Sequence, residues 1–222
     1  KANAGVETLI AITLNGNAGN DTLSADAIIN GGAGDDILFG GAGLDTISGN
    51  DGDDEIHVDF DGFTDVISGG NGYDRIVISG TPGNDIISAF QSTATQLIST
   101  LQSPPAAVAS DTDTIGTIEQ VDINAGGGND SIFVQHAEVL EDAAVNGVVF
   151  FVDGGTGFTG DRLIAQDNGG GDLLLYRKAD SGTEGSITVG PTNAEPLRTD
   201  FTNIEYVNPV AAAGGTVVVF KY

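Results

Sequence analysis

Three nine-residue units follow one another without a gap at residues 31–57, where the chain reads GGAGDDILF, GGAGLDTIS and GNDGDDEIH. Each unit has glycine in places one and four, aspartate in place six and an apolar residue in place eight. Self-similarity at a fixed period predicts a repeat architecture in which every unit packs on its neighbours. Further copies read GNAGNDTLS at 16–24, GGNGYDRIV at 69–77, GTPGNDIIS at 80–88 and AGGGNDSIF at 125–133.

Weaker copies of the unit occupy some of the intervals between the clear ones. One weak copy retains only the aspartate and the apolar residue of the unit, as Asp26 and Ile28. Another retains them as Asp65 and Ile67, at the end of a longer segment. At 154–163 the turn is two residues longer before Asp161. The repeat is therefore expected to continue, less regularly, beyond the clear copies.

The composition restricts the possible partners and stabilising elements. The 222 residues include 32 acidic and 7 basic ones, for a formal net charge of −25. Phosphate binding needs a basic surface, so nucleic acid is excluded as a natural partner and anionic membranes are disfavoured. The chain contains no cysteine and no apolar run of the ~18 residues that a membrane span requires. A compact state at this charge repels itself unless a cation neutralises it.

The repeated pattern, small-Gly-x-Gly-x-Asp-x-apolar-x, resembles the nonapeptide of the RTX (haemolysin-type) proteins. That resemblance implies an all-β fold, a right-handed parallel β-roll or β-solenoid with calcium-binding turns. Glycine permits positive φ and close backbone approach, so such a turn can direct several carbonyl oxygens inward while aspartate adds a carboxylate. Calcium takes about 6–8 oxygen ligands, more than one turn supplies, so neighbouring turns are expected to share each of several ions.

The spacing of the aspartates is consistent with this arrangement. In a β-roll each nonapeptide is half a coil, so turns on one side are two repeats apart. One side would carry Asp21, Asp36, Asp54 and Asp74, at separations of 15, 18 and 20 residues. The other would carry Asp26, Asp45, Asp65 and Asp85, at separations of 19, 20 and 20 residues. The predicted calcium ligands are these eight aspartates together with Asp130 and Asp161, whereas Asp35 and Asp53, in place five, are expected to be solvated.

Three regions are predicted along the chain. Residues 1–88 form the calcium-binding β-solenoid and 89–124, which lack a Gly-Gly-x-Gly turn and contain Pro104 and Pro105, form an irregular excursion or loop. Residues 125–222 form a second, more irregular β-rich part that ends in an apolar strand at 216–220. A recurring element with a central Glu7, Glu119 or Glu205 is interpreted as a strand that leads into a calcium turn, except for the third copy, where the solenoid ends.

No catalytic motif accompanies the repeats, and His57 and His136 are interpreted as surface residues, so the chain is not expected to be an enzyme. The preferred function is a secreted, extracellular or cell-surface structural protein, bacterial by resemblance, that self-associates head to tail through its terminal strands. One alternative is a spacer or stalk module of a large adhesin. Another is the type I secretion-linked region of a toxin or hydrolase.

Overall fold

The computed structural model describes residues 13–25, 28–60, 63–93, 95–102, 109–136, 149–156, 160–166, 173–178, 183–190, 197–211 and 216–221. These residues form twenty β-strands arranged in two sheets of ten strands each. The described part contains no helix long and apolar enough to cross a membrane. The all-β fold with predominantly parallel strands confirms the predicted class.

The first sheet contains most of the odd-numbered strands. Its strand order is β1-β3-β5-β7-β11-β10-β9-β13-β15-β19. The bounds are β1 Thr13–Ala18, β3 Ile28–Ala33, β5 Thr46–Asp51, β7 Val66–Asn71, β9 Ile86–Thr93, β10 Gln96–Gln102, β11 Ala109–Gly116, β13 Ser131–His136, β15 Arg162–Gln166 and β19 Tyr206–Val210.

The second sheet lies against the first and contains the remaining strands. Its strand order is β2-β4-β6-β8-β12-β14-β18-β17-β16-β20. The bounds are β2 Thr22–Ser24, β4 Ile37–Phe39, β6 Glu55–His57, β8 Arg75–Ser79, β12 Gln120–Asn124, β14 Val149–Asp153, β16 Leu173–Lys178, β17 Gly185–Gly190, β18 Leu197–Thr202 and β20 Thr216–Lys221.

The repeats set the path of the chain between the sheets. From β1 to β8 the chain alternates strictly between them, one strand per nonapeptide. Strands of neighbouring coils pair in parallel, and the apolar residues in place eight align, as in the row Leu38, Ile56 and Ile76. Successive turns therefore stack directly on one another at the two ends of the strands.

The core is a column of the place-eight residues and widens along the chain. Leu38 and Ile56 are the single inward residues of the three-residue strands β4 and β6, and both are fully buried. The later strands β8, β12 and β14 of the second sheet each contribute two inward residues, such as Phe150 and Val152 in β14. Each buried apolar side chain contributes about 1.5–3 kcal/mol, so the early coils have the weaker core.

Residues 89–124 differ from the irregular loop that the sequence predicts. Their described part forms the end of β9, all of β10 and β11, and β12. The strand β10 lies antiparallel between β9 and β11, while β11 pairs in parallel with β7 and so restores the coil. Buried residues alternate along these strands, with Leu97 and Ser99 in β10 and Asp113 and Ile115 in β11.

A second three-strand antiparallel meander, comparable to that of β9, β10 and β11, lies in the second sheet. The strands β16, β17 and β18 pair antiparallel within the second sheet, where they occupy positions between β14 and β20. The first meander adds two strands to one sheet and the second adds two to the other. The strands of the 125–222 region therefore continue the same two sheets as those of the first 88 residues, and one hydrophobic cluster runs through both regions.

Candidate metal centre

Buried carboxylates form a continuous hydrogen-bonded column along one row of turns, which we name the first ladder. The backbone N–H of Asp21 donates to Asp36 Oδ1 at 2.8 Å, Asp36 N–H to Asp54 Oδ1 at 2.8 Å, and Asp54 N–H to Asp74 Oδ1 at 2.9 Å. The last bond, 2.8 Å long, joins Asp74 N–H to Glu119 Oε2. Each carboxylate thus uses one oxygen to bind the backbone of the preceding turn.

The opposite row of turns contains two shorter columns of the same kind. In the second ladder, Asp45 N–H donates to Asp65 Oδ1 and Asp65 N–H donates to Asp113 Oδ1, at 2.8 and 3.2 Å. The third ladder runs from Asp85 through Asp130 and Asp161 to Glu205. Its three bonds measure 2.7, 2.7 and 3.0 Å.

The structure places most of the predicted residues in these ladders. The order of Asp21, Asp36, Asp54 and Asp74 agrees with the spacing argument. The spacing predicts that Asp85 follows Asp65, but this prediction is wrong. Strand β11 places Asp113 next to Asp65, and the turn of Asp85 lies in the third ladder. Asp26 and Glu7 lie outside the described residues, so their roles stay predictions.

Three ladder residues were not among the ligands predicted from the sequence: Asp113, Glu119 and Glu205. The two glutamates share a local pattern, since each follows a buried isoleucine and a residue with positive φ, Thr117 at 50° or Asn203 at 53°. The recurring Glu element was visible in the sequence, but its glutamate was assigned to a strand and not to a ladder. Asp113 lies within β11 and has no glycine signal.

Where place one of a turn is glycine, that glycine lies close to the second carboxylate oxygen. A Cβ built on Gly16 would lie 2.6 Å from Asp21 Oδ2, and one on Gly31 would lie 2.8 Å from the carbonyl oxygen of Gly49 and closer still to Asp36 Oδ2. In the third ladder a Cβ on Gly154 would lie 2.9 Å from Asp161 Oδ2. Glycine therefore allows a carboxylate oxygen and a carbonyl oxygen of the next turn to approach the same side of its Cα.

The second carboxylate oxygens fit a cation. Among the described residues, the buried Oδ2 atoms of Asp21, Asp36, Asp54, Asp74 and Asp130 have no hydrogen-bond partner. Leaving a buried charged oxygen unsatisfied is costly. No three acidic or histidine side chains converge within the described part, so backbone carbonyls must complete any coordination shell. An all-oxygen set suits calcium, whereas zinc sites use nitrogen and sulfur.

Electrostatics of the ladders also favour a cation. Burial raises the pKa of Asp74 to about 6, and the like charges of Asp54 and Glu119 add to the increase, although the hydrogen bond from Asp54 N–H opposes it. Burial likewise raises the pKa of Asp130 to about 6, with the charges of Asp161 and Asp85 adding to it. The carboxylates of Asp74 and Asp130 are thus held in an environment that disfavours their charged form.

The outward-facing His57 and Arg75 belong to a separate surface cluster on the second sheet. The ring of His57 stacks on Phe39, with centroids 4.3 Å apart, and its Nε2 lies 2.5 Å from Glu55 Oε1. Arg75 contacts Glu55 and lies 3.5 Å from Asp122 Oδ2. Arg75 thus lies beside two carboxylates of this cluster.

Parallel coils with stacked Gly-Gly-x-Gly-x-Asp turns and buried acidic columns define a β-roll of the calcium-binding class. Comparison with protein families matches residues 13–27, 28–60 and 61–89 to the RTX calcium-binding nonapeptide repeat (4 copies). Residues 13–89 are therefore similar to this repeat. No curated protein matches the chain. Most of the third ladder lies beyond the matched residues, so its geometry extends the repeat arrangement into the second half of the chain.

Proposed function

We propose that this chain is an extracellular structural module whose β-roll is completed by calcium ions held between stacked turns. The observation that carries the proposal is the set of buried Oδ2 oxygens without a hydrogen-bond partner, at Asp21, Asp36, Asp54, Asp74 and Asp130. The first four lie against the place-one glycine of their turn, close to a carbonyl oxygen of the next turn. Bound calcium would supply positive charge and oxygen coordination between neighbouring turns. No catalytic role is proposed for the chain.

Nine of the ten predicted aspartates and the three added acids are assigned to the ladders, and Asp26 lies outside the described residues. In the first ladder, Oδ2 of Asp21, Asp36, Asp54 and Asp74 would bind ions together with carbonyl oxygens such as that of Gly49. We propose the same for Asp45 and Asp65, and for Asp85, Asp130 and Asp161. Asp113, Glu119 and Glu205 close the ladders, since each accepts the N–H of the last regular turn.

The calcium concentration outside the cell supports an extracellular location for the module. The early coils have a thin apolar core, and their folding must also overcome repulsion among the ladder carboxylates. Sites of the extracellular class have dissociation constants of about 10⁻⁴–10⁻³ M, so they fill outside the cell and stay empty in the cytosol. Because ion binding then contributes folding free energy, the chain would fold only after export.

A calcium titration of the full chain, followed by far-UV circular dichroism, tests this function. We expect strand signal to appear cooperatively as calcium rises toward about 1 mM and to disappear on chelation. Magnesium is the matched control, since its strict octahedral geometry and reluctance to lose water make it a poor substitute. Equal strand content in calcium and in chelator would refute the proposal.

Head-to-tail assembly is a second candidate, favoured by strand polarity. The described sheets end at β1 and β19 and at β2 and β20, and each of these edge strands pairs in parallel with its neighbour. A second copy would thus extend both sheets without reversing direction. Pro209 in β19 removes one N–H donor and weakens that edge.

Electron microscopy of the chain in calcium distinguishes assembly from the alternatives. Filaments would support head-to-tail assembly, and single rods would support a spacer or secretion-linked module.

A further inference from the structure

Neighbouring turns of the first ladder are joined by a second bond that runs in the opposite direction. Asp36 N–H donates forward to Asp54 Oδ1 at 2.8 Å. One residue earlier in each turn, Asp53 N–H donates back to Asp35 Oδ1 at 3.0 Å. The residue pairs 35–36 and 53–54 therefore bind each other reciprocally through two backbone amides and two carboxylates. We name this pair of bonds the reciprocal clasp.

The reciprocal clasp recurs at other interfaces between turns. In each case a place-five oxygen accepts the N–H of place five in the next turn, while the place-six bond runs the other way. The additional place-five bonds are Asp35 N–H to Asn20 Oδ1 at 3.1 Å, Tyr73 N–H to Asp53 Oδ1 at 2.8 Å, and Asn129 N–H to Asn84 Oδ1 at 2.9 Å.

The glycine in place four provides the space for this bond. A Cβ built on Gly34 would lie 2.9 Å from Asn20 Oδ1, one on Gly72 would lie 3.0 Å from Asp53 Oδ1, and one on Gly128 would lie 2.8 Å from Asn84 Oδ1. A side chain at Gly34, Gly72 or Gly128 would push the two turns apart. The place-four glycine and the place-five acceptor thus form one stacking device.

The second ladder provides a natural comparison. Its turn at 40–45 has Leu44 in place five, a side chain without a hydrogen-bond acceptor that is 71% exposed. The place-six bond from Asp45 N–H to Asp65 Oδ1 is nevertheless present. The place-five bond is therefore an addition to the ladder and not a condition for it.

We propose that Asp35 and Asp53, with Asn20 and Asn84, are positioning residues that fix the gap between successive turns and so raise its affinity for calcium. This inference rests on the proposed function, because the gap it fixes is the proposed ion site. A preset gap loses less conformational freedom when the ion binds. These exposed side chains act through the backbone of the next turn and do not contact the ion.

The acceptor oxygen, and not the negative charge, performs this role. Asn20 and Asn84 make the same bond as Asp35 and Asp53 at similar length. An amide keeps the accepting oxygen and removes the charge. Asparagine and aspartate should therefore be interchangeable in place five, whereas alanine should not be.

The experiment compares the full-length variants Asp53→Asn, Asp53→Ala, Asn84→Ala and Leu44→Ala with the unaltered chain. Isothermal titration with calcium gives the number of ions and their affinity, and stopped-flow mixing with a chelator gives the rate of calcium release. Loss of one hydrogen bond should weaken the adjoining sites by about twofold to tenfold in Asp53→Ala and in Asn84→Ala. The number of ions should not change, and Asp53→Asn and Leu44→Ala should behave like the unaltered chain.

Each outcome separates the inference from the proposed function. If the unaltered chain binds no calcium, the proposed function fails before any variant matters. If it binds calcium and both alanine variants of clasp residues release it at the normal rate, the positioning role is wrong and the function stands. If Asp53→Asn is impaired as strongly as Asp53→Ala, the charge acts directly and the inference is overturned. Asn84→Ala changes no charge, so it keeps the test decisive if Asp53→Ala folds poorly.

Discussion

Gly49→Ala is expected to abolish calcium-dependent folding of the early coils at about 1 mM calcium, a concentration at which the unaltered chain folds. The added Cβ would overlap both Asp54 Oδ2 and the carbonyl oxygen of Gly69, which lies 2.6 Å from it. Both atoms are proposed ligands of one ion. Overpacking of this kind costs about 1–3 kcal/mol, or about 5- to 150-fold in an equilibrium constant, in addition to the displaced ligands.

Circular dichroism during a calcium titration measures this effect as a shift in the midpoint. Gly83→Ala is the matched control, because it makes the same chemical change within a turn of the third ladder. A Cβ on Gly83 would meet only Thr81 Oγ1, at 3.6 Å. An unshifted midpoint for Gly49→Ala would mean that the space beside Asp54 holds no ion.

Substitutions of Asp54 distinguish the roles of the two oxygens of a ladder carboxylate. In Asp54→Asn the amide oxygen can still accept Asp36 N–H, while an NH₂ group replaces the proposed calcium-binding Oδ2. We expect this variant to weaken the sites on both sides of its turn. It should also stabilise the metal-free chain, because burial and the charge of Asp36 raise the pKa of Asp54 and disfavour its charged form.

Asp54→Ala should be worse than Asp54→Asn in every condition. It removes the acceptor of Asp36 N–H as well, and an unsatisfied buried donor costs about 1–3 kcal/mol. Isothermal titration gives the number of ions, and urea unfolding in calcium gives the free energy. Asp51→Asn, an exposed neighbour that accepts a bond from Asn71 Nδ2 at 2.8 Å, controls for the loss of one charge. Normal calcium stoichiometry and affinity in both Asp54 variants would contradict the ladder.

The repeats made the first half of the fold predictable. The nonapeptide period determines both the alternation of the chain between sheets and the position of the inward residue, so Leu38, Ile56 and the first-ladder aspartates follow from spacing. The turn chemistry is local, because most of the turns that stack this closely have glycine in places one and four. Tertiary packing has little freedom to override such a pattern.

The remainder depended on long-range pairing that the local pattern does not encode. Nothing in the sequence of 89–124 shows that β11 returns to β7, so the neighbour of Asp65 could not be identified. Asp113 joins its ladder from inside a strand, 48 residues away from Asp65. Glu119 and Glu205 reach the ladder from turns without the repeat's glycines. The reciprocal clasp was also missed, because an exposed place-five acid is ordinarily a solvated residue.

The most direct test of the calcium ladders is an anomalous difference map from crystals grown in calcium, with data collected at a wavelength where calcium scatters anomalously. Peaks are expected between successive turns, each beside the Oδ2 of a ladder aspartate such as Asp36 or Asp54 and near the carbonyl oxygen of a place-one glycine. A map without peaks in these spaces, or with peaks only at exposed place-five carboxylates, would contradict the calcium ladders.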